Sequence, residues 1–365
     1  MSDQIYALEA EGLTAVLGGQ KVLELTSLRV LRNEVLVIIG PNGSGKTTLL
    51  LCLASLLKPV SGSITYGGIT SNDNLSVVKL RRRLAVVFQE PLLLNRTVWD
   101  NVHLGLRLRG VSSTEAKTRV TKWLDRFGVA QLSKRQAKTL SGGEAKRVSL
   151  ARAFVLEPEI LFLDEPFNAL DTPTRQALLE DFESVLRETR VTTVMVTHDH
   201  NEALALADRV AVLIKGKIRQ LGTAEEVFSS PMDEEVAAFV ETGNTIRGVV
   251  KTQTNGLASI LIEGREVFAV SDMLPDTKVT VYLHYEDVTI TLNLPETILS
   301  SARNQMRGKV VKVFPHGPQF KITMDCGFKL SSLITRRSFE ELGLEIGKEI
   351  TAYFKASSVH LIKRL

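Results

Sequence analysis

A chain of 365 residues is long enough for two or three domains, and 44% hydrophobic with 24% charged residues is the make-up of a folded protein, which excludes a disordered or low-complexity chain. Lys and Arg number 45 against 41 Asp and Glu, a balance of +4 that is too mild to argue for nucleic acid as a partner. The two cysteines, Cys52 and Cys326, lie far apart without metal-ligand spacing, so free thiols in a reducing compartment are expected rather than a disulfide scaffold.

In chain order, Met1-Ser2-Asp3-Gln4 has no basic patch leading into an apolar core, and no signal peptide is expected. Val35–Ile39 is a β-branched apolar run closed by Gly40. The greasiest stretch, Leu49 to Leu57, is half the roughly 18 apolar residues that a membrane span needs. Leu84 to Phe88, Ile160 to Leu163 and Val191 to Val196 resemble the first run and predict buried strands of a mostly parallel sheet. Between them, Trp99, Val102, Leu104, Leu106, Val120, Trp123, Leu124 and Phe127 recur at helical spacing over 97–135, which predicts a helical insertion. Composition changes near Ser229-Ser230-Pro231, and a short amphipathic helix is predicted over 234–241, ending by Gly243. Beyond it, Val279–Leu283 and Phe320–Met324 alternate with period two, as half-buried strands do. Arg247-Gly248-Val249-Val250-Lys251 resembles Arg307-Gly308-Lys309-Val310-Val311-Lys312, and Thr280 to Ile290 lines up with Ile350 to Ile362. Matching starts and ends predict a duplicated small β-barrel.

Three motifs carry chemistry. Gly40-Pro41-Asn42-Gly43-Ser44-Gly45-Lys46-Thr47 fits the phosphate-loop pattern. Its glycines let backbone N–H groups turn inward around phosphate oxygens, and the helix that follows points its positive end at the same place. Lys46 is expected to reach the β- and γ-phosphates, Thr47 to hold Mg²⁺ and Thr48 to support the α-phosphate. In Ile160-Leu161-Phe162-Leu163-Asp164-Glu165-Pro166 a buried strand ends in two carboxylates. Asp164 is suited to take Mg²⁺ through water, and Glu165 to accept a proton from an attacking water. Leu140-Ser141-Gly142-Gly143-Glu144 opens a helix and makes a second anion site. Two anion sites at opposite ends of one domain meet on the same phosphates only in a head-to-tail pair of chains.

These elements, with Gln89 after Ala85-Val86-Val87-Phe88, His198 in Val196-Thr197-His198-Asp199, and Asn168-Ala169-Leu170-Asp171, occur in the order found in ATP-binding subunits of ABC transporters. The chain resembles that family over residues 1–240, with a helical subdomain at about 91–158. The resemblance implies an ABC-type P-loop NTPase fold. ATP with Mg²⁺ would be sandwiched between the phosphate loop of one copy and Ser141, Gly142, Gly143 and Glu144 of a second, with Asp171 nearby. Gln89 would sense Mg²⁺ and the γ-phosphate, and His198 would contact the γ-phosphate and help orient water. Where the family carries an aromatic residue to stack on adenine, this chain has Leu17, which leaves apolar contact without a stacking platform.

The tail, read as one β unit at 244–300 and a second at 301–365, offers hydroxyls, amides and cations of the kind tetrahedral dianions need. Ser301-Ala302-Arg303-Asn304 and the terminal Lys355-Ala356 resemble the molybdate-binding Mop fold, of the small OB-like barrel type. That resemblance implies Ser301, Arg303, Asn304, Thr335, Ser338, Lys355, Ala356 and Ser357 as oxyanion contacts. The first unit has Tyr285-Glu286-Asp287 in place of Lys-Ala-Ser and is expected to be structural. Together the resemblances imply the ATPase of a tungstate or molybdate importer at the cytoplasmic face of the membrane. Its partners would be a second copy, permease subunits and, through them, an external oxyanion-binding protein. Phe88–Leu94 and Ser141–Ala145 look closer to tungstate-importer ATPases. Importers of sulfate, sugars or polyamines share the motor and a related tail. A soluble ABC ATPase acting on ribosomes or DNA is the reading from another class, and the single motor without a heptad run speaks against it.

Overall fold

The computed structural model describes residues 5–70, 74–240, 243–292 and 301–364, with backbone alone at 74–77. Met1–Gln4, on which the signal-peptide expectation rests, lie outside the described residues. The chain divides into two units, Met1–Ala224 and Glu225–Leu365.

In the first unit, β1 (Tyr6–Leu17) and β2 (Gln20–Leu31) form a hairpin. Its turn, Gly18-Gly19, has φ of +56° and +80°, which only glycine adopts readily. β3 (Val35–Ile39), α1 (Lys46–Leu53), β4 (Ser61–Tyr66) and β5 (Ile69–Thr70) follow. β4 and β5 extend the hairpin into a four-stranded antiparallel sheet of order β2-β1-β4-β5, an element the sequence reading did not predict. Next come α2 (Asn74–Arg81), β6 (Leu84–Val87), α3 (Val98–Leu108), α4 (Ser113–Arg126) and α5 (Gly142–Phe154). The rest of the unit is β7 (Ile160–Asp164), α6 (Thr172–Thr189), β8 (Thr192–Val196), α7 (His200–Leu206), β9 (Arg209–Ile214) and β10 (Lys217–Gly222). The second sheet has the order β10-β9-β3-β8-β7-β6, parallel except for the edge strand β10. Every residue of β7 and β8 is buried, which is why Ile160–Leu163 and Val194–Val196 are apolar without a break. This order sets the carboxyl ends of β3, β8 and β7 side by side, where ligands of parallel sheets bind. The helical insertion is present as α3 and α4, whose apolar stripes bury Val102, Leu106, Val120, Trp123 and Leu124.

The second unit opens with α8 (Ala224–Ser229) and α9 (Glu234–Val240), the latter ending before residue 241, which lies outside the described residues. The sequence pattern sets the boundary at 240. The segment before it nevertheless packs with the tail, because Tyr282 Oη donates to Phe228 O (3.1 Å) and His360 Nε2 lies 3.2 Å from Pro231 O. The strands are β11 (Gly243–Thr254), β12 (Leu257–Ile262), β13 (Arg265–Val270), β14 (Lys278–His284), β15 (Thr289–Thr291), β16 (Asn304–His316), β17 (Gln319–Asp325), β18 (Lys329–Thr335), β19 (Glu349–Phe354) and β20 (His360–Lys363), with α10 (Arg336–Glu341) after β18.

The two repeats exchange their last strands. β20 closes the first sheet (β13-β12-β11-β14-β20), and β15 closes the second (β15-β19-β16-β17-β18). One shared core runs from Val250 and Ile260 to Ile322, Leu330 and Phe354. Asn244 and Asn304 clasp the exchange reciprocally. Asn244 bonds the backbone N–H and C=O of Ser331 (2.6 and 2.9 Å), and Asn304 those of Phe268 (2.7 and 2.9 Å). The ladders also correct the alignment of the repeat ends. Arg247 faces Thr280 and Arg307 faces Thr351, so Thr280 matches Thr351 rather than Ile350. In the same register Leu283 matches Phe354, and His284, not Tyr285, stands where the second repeat has Lys355.

Candidate functional site

The phosphate loop leaves β3 at Gly40. A Cβ there would lie 2.0 Å from Leu213 O and 2.9 Å from Ser44 Oγ, and one at Gly45 would lie 2.7 Å from Val22 O, so both positions require glycine. Gly43 and Gly45 have φ of +77° and +100°, turning the chain back on itself. Asn42 and Pro41 are exposed on the rim. Ser44 Oγ is buried without a hydrogen-bond partner among the described residues, and Lys46 is buried with its Nζ donating to Gly40 O (2.8 Å) and Pro41 O (3.1 Å). Burial holds Lys46 below its ordinary pKa, against the pull of Glu165 and Asp164. An orphaned hydroxyl and a desolvated ammonium beside a glycine cradle are the donor set a polyphosphate satisfies. Thr47 Oγ1 donates to Asp164 Oδ1 (3.1 Å). Burial raises Asp164 above the usual carboxylate range, with the Thr47 bond opposing. This hydroxyl–carboxylate pair, with phosphate oxygens, fits a hard divalent cation that keeps several waters. No cluster of three or more His, Cys, Asp and Glu side chains suited to a metal occurs among the described residues. Thr48 follows, half-buried, in the first turn of α1.

Glu165 sits just past β7 with φ +43°, and its N–H donates to Val196 O (2.9 Å). Both carboxylate oxygens are engaged. His198 Nδ1 lies 3.1 Å from Oε1, and Asn168 Nδ2 donates to Oε2 (2.9 Å). The sequence reading assigned His198 to the γ-phosphate; here its ring stands on Glu165. Asn168 was not singled out as a site residue, although its place in Asn168-Ala169-Leu170-Asp171, three residues after Glu165, was the available signal. A cavity of ≈ 90 Å³, room for two or three waters, opens beside Glu165, Asn168 and His198. Behind it, Arg175 of α6 pairs with Asp199 and with Glu202 Oε1 (2.8 Å), and Thr197 Oγ1 donates to Glu202 Oε2 (2.5 Å). Arg175 thus ties α6 to the turn that carries His198. Asp171, predicted near nucleotide, caps α6 through Thr174 N (2.9 Å) and Thr174 Oγ1 (3.0 Å).

Ser141 is the N-cap of α5, in a capping box with Glu144. A Cβ at Gly143 would lie 2.7 Å from Thr174 Cγ2, so any larger residue there displaces the Thr174 side chain. Gly142 is exposed at the helix start. Gln89 is exposed after β6, and α5 stitches that loop down. Lys146 Nζ donates to Gln89 O, and Arg152 donates to Pro91 O (2.7 Å) and Leu92 O (2.9 Å). Leu17 is exposed at the end of β1. A larger cavity of ≈ 480 Å³ touches Ile160 and Thr192, the first residues of β7 and β8, and so lies at the opposite end of the sheet from the phosphate loop.

The ABC transporter family model matches residues 23–168, and the TOBE domain model matches 300–361. The molybdate/tungstate import ATP-binding protein of Pyrococcus horikoshii is 37% identical, over 92% of this chain and 94% of the relative. Its counterpart in Pyrococcus abyssi is 36% identical, over 91% and 94%. The chain belongs to the ABC transporter family. It is an ATP-binding subunit that hydrolyses ATP, and its tail is a TOBE domain. The spermidine/putrescine import ATP-binding protein of Thermobifida fusca is 34% identical over 78% of this chain and 74% of the relative. Among solved structures, cbiO1 of Clostridium perfringens, part of an ABC transporter complex, matches 65% of this chain and 95% of that chain (TM-score 0.58, 31% identity). A dimeric ATP-binding cassette bound to ADP and phosphate matches 60% and 98% (TM-score 0.55, 28% identity). No helix among the described residues is long and apolar enough to cross a membrane.

In the tail, Ser301 and Arg303 are exposed ahead of β16, while Asn304 is buried with its amide engaged on Phe268. Asn304 faces Phe354 across the ladder, which brings Ser301–Asn304 to the corner where Lys355, Ala356 and Ser357 turn. Thr335 and Ser338 stand together at the start of α10, their hydroxyls 2.9 Å apart. No hydrogen bond or ion pair joins that pair to Ser301, Arg303 or Lys355 among the described residues.

Proposed function

We propose that the chain powers import of tungstate or molybdate from the cytoplasmic face of the membrane, as one of two copies beneath permease subunits served by an external binding protein. The observation that carries the substrate class is the similarity to molybdate/tungstate import ATP-binding proteins, which runs through motor and tail alike over more than nine-tenths of the chain. Each nucleotide lies between one copy's phosphate loop and the other's Ser141 and Gly143. Lys46 and Ser44 hold the phosphates, and Thr47, Asp164 and Gln89 hold Mg²⁺, which when bound neutralises phosphate charge. Glu165, fixed by Asn168 and His198, takes the proton of the attacking water. In the tail, Ser301, Arg303, Lys355, Ala356 and Ser357 contact an oxyanion that reports the internal supply. Thr335 and Ser338 join them from a second copy, and Asn304 braces the corner.

The test is metal accumulation. Cells lacking the chain, grown with traces of both oxyanions and measured by mass spectrometry, take up less tungsten or molybdenum, and the chain restores uptake while Glu165→Gln does not. Unchanged uptake of both metals would refute the reading. Restoration of sulfur or polyamine uptake instead would assign the motor to another importer.

A further inference from the structure

The two sheets of the tail repeat one another, but one pair of related positions is filled differently. In the first sheet, Arg247 and Thr280 are cross-strand neighbours and so share a face. Glu234, from the first turn of α9, lies over them. Thr280 Oγ1 donates to its Oε1, Arg364 Nε is 3.0 Å from Oε1, and Arg247 Nη2 is 4.0 Å from Oε2. This is a carboxylate held by a hydroxyl and two guanidinium groups.

In the second sheet, Arg307 and Thr351 are the matching neighbours. Here a cavity of ≈ 580 Å³ opens, lined by Arg265, Arg307, Lys309 and Thr351 together with Asp325 and Glu349. Its carboxylates already have partners. Asp325 accepts from Lys329 Nζ (2.6 Å) and Gly327 N (3.1 Å), and Glu349 lies 3.6 Å from Lys309. No carboxylate pairs with Arg265 or Arg307 among the described residues. Thr351 is 6% exposed, and its hydroxyl makes no hydrogen bond among them. Its cross-strand partner Thr291 has a buried Oγ1 that likewise lacks one. Gly308, between Arg307 and Lys309, keeps the floor close, since a Cβ there would lie 2.2 Å from Asp325 O.

We infer that Arg265, Arg307 and Thr351 form a receptor for an oxyanion, inorganic or carboxylate, in the place that Glu234 fills in the first repeat. Guanidinium groups are donors only and the hydroxyl can turn its O–H to an anion, and the first repeat shows that the same arrangement accepts a carboxylate. The site is separate from the Ser301–Lys355 corner and does not rest on the importer reading.

The full-length chain is titrated calorimetrically with sodium tungstate and, separately, sodium succinate. At least one probe binds, and Arg307→Gln and Thr351→Val each weaken that binding at least tenfold. The binding event sensitive to Arg307→Gln and Thr351→Val is read in an Arg303→Gln, Lys355→Gln background, where the Ser301–Lys355 corner is silenced, and it persists there. Tungstate alone binding identifies a free inorganic oxyanion, and succinate alone a carboxylate. Crystals grown with tungstate give a tungsten anomalous peak between Arg265 and Arg307 in the first case. Failure of both probes to bind overturns the inference. So does binding that survives Arg307→Gln and Thr351→Val in that background, and loss of binding in the Arg303→Gln, Lys355→Gln background itself assigns the oxyanion to the other corner instead.

Discussion

Replacing Asn168 with Ala tests how Glu165, the proposed catalytic base, is held. Its amide donates to one oxygen of Glu165 at 2.9 Å, and His198 stands 3.1 Å from the other. Losing one hydrogen bond to a charged acceptor costs about 1.5–3 kcal/mol. Asn168 is half-buried, so water replaces part of the loss and the low end applies. A cost of about 1.5 kcal/mol, if it falls on the transition state, slows turnover about tenfold. No hydrogen bond joins Asn168 to the phosphate loop among the described residues, so the affinity for ATP is expected to be unchanged. Asn168→Asp keeps the shape but sets a second carboxylate against Glu165, and the loss exceeds that of Ala. The assay is phosphate release at saturating ATP, with nucleotide binding followed separately by fluorescence. If Asn168→Ala turns over ATP as fast as the parent, the bond does not position Glu165 for chemistry. If KM rises while kcat holds, the residue serves nucleotide binding instead.

Two further substitutions probe buried networks. Arg175→Met leaves Glu202 and Asp199 without their cation and costs about 3 kcal/mol at pH 7.5, the low end for a broken pair because Arg175 is partly exposed. Burial raises Glu202 above the carboxylate range, with Thr197 and Arg175 opposing. For Asp199 burial also acts upward, but Arg175 and the N–H groups of Glu202 and Asn201 outweigh it and hold the group low. Without Arg175, the folded state binds the Glu202 proton more tightly than the unfolded chain does, so stability falls as pH rises through the carboxylate range and above. Melting temperatures at pH 5 and pH 7.5 check this, and an equal loss at both would contradict it. Asn304→Ala removes two bonds to Phe268 and costs about 2 kcal/mol in thermal unfolding without any oxyanion present. An unchanged melting temperature would return Asn304 to a purely ligand-binding role.

The sequence made the motor readable because its chemistry is local. The phosphate loop, Asp164 and Glu165, and the Ser141 helix start are short runs whose backbone conformation their own glycines and caps dictate. The buried parallel strands were equally plain, since Ile160–Leu163 of β7 and Val194–Val196 of β8 are continuous apolar runs. What stayed hidden depends on partners distant in the chain. Nothing in Thr289–Thr291 or His360–Lys363 says that each joins the other repeat's sheet, because strand exchange leaves the alternation of both strands unaltered. The off-by-one alignment of Thr280 with Ile350 arose for the same reason: only the ladder fixes register. Asn304 read as a ligand because a carboxamide suits an oxyanion, yet its amide is engaged by a strand 36 residues away in sequence. Asn168 went unassigned because its partner is a side chain, which no local pattern encodes.

The central claim is that ATP is held between two copies of this chain and hydrolysed there through Glu165. Light scattering of Glu165→Gln with saturating ATP and magnesium tests it most directly. The account predicts twice the mass of one chain with ATP and a single-chain mass once ATP is removed. A single-chain mass under both conditions, in a protein that demonstrably binds the nucleotide, would contradict it.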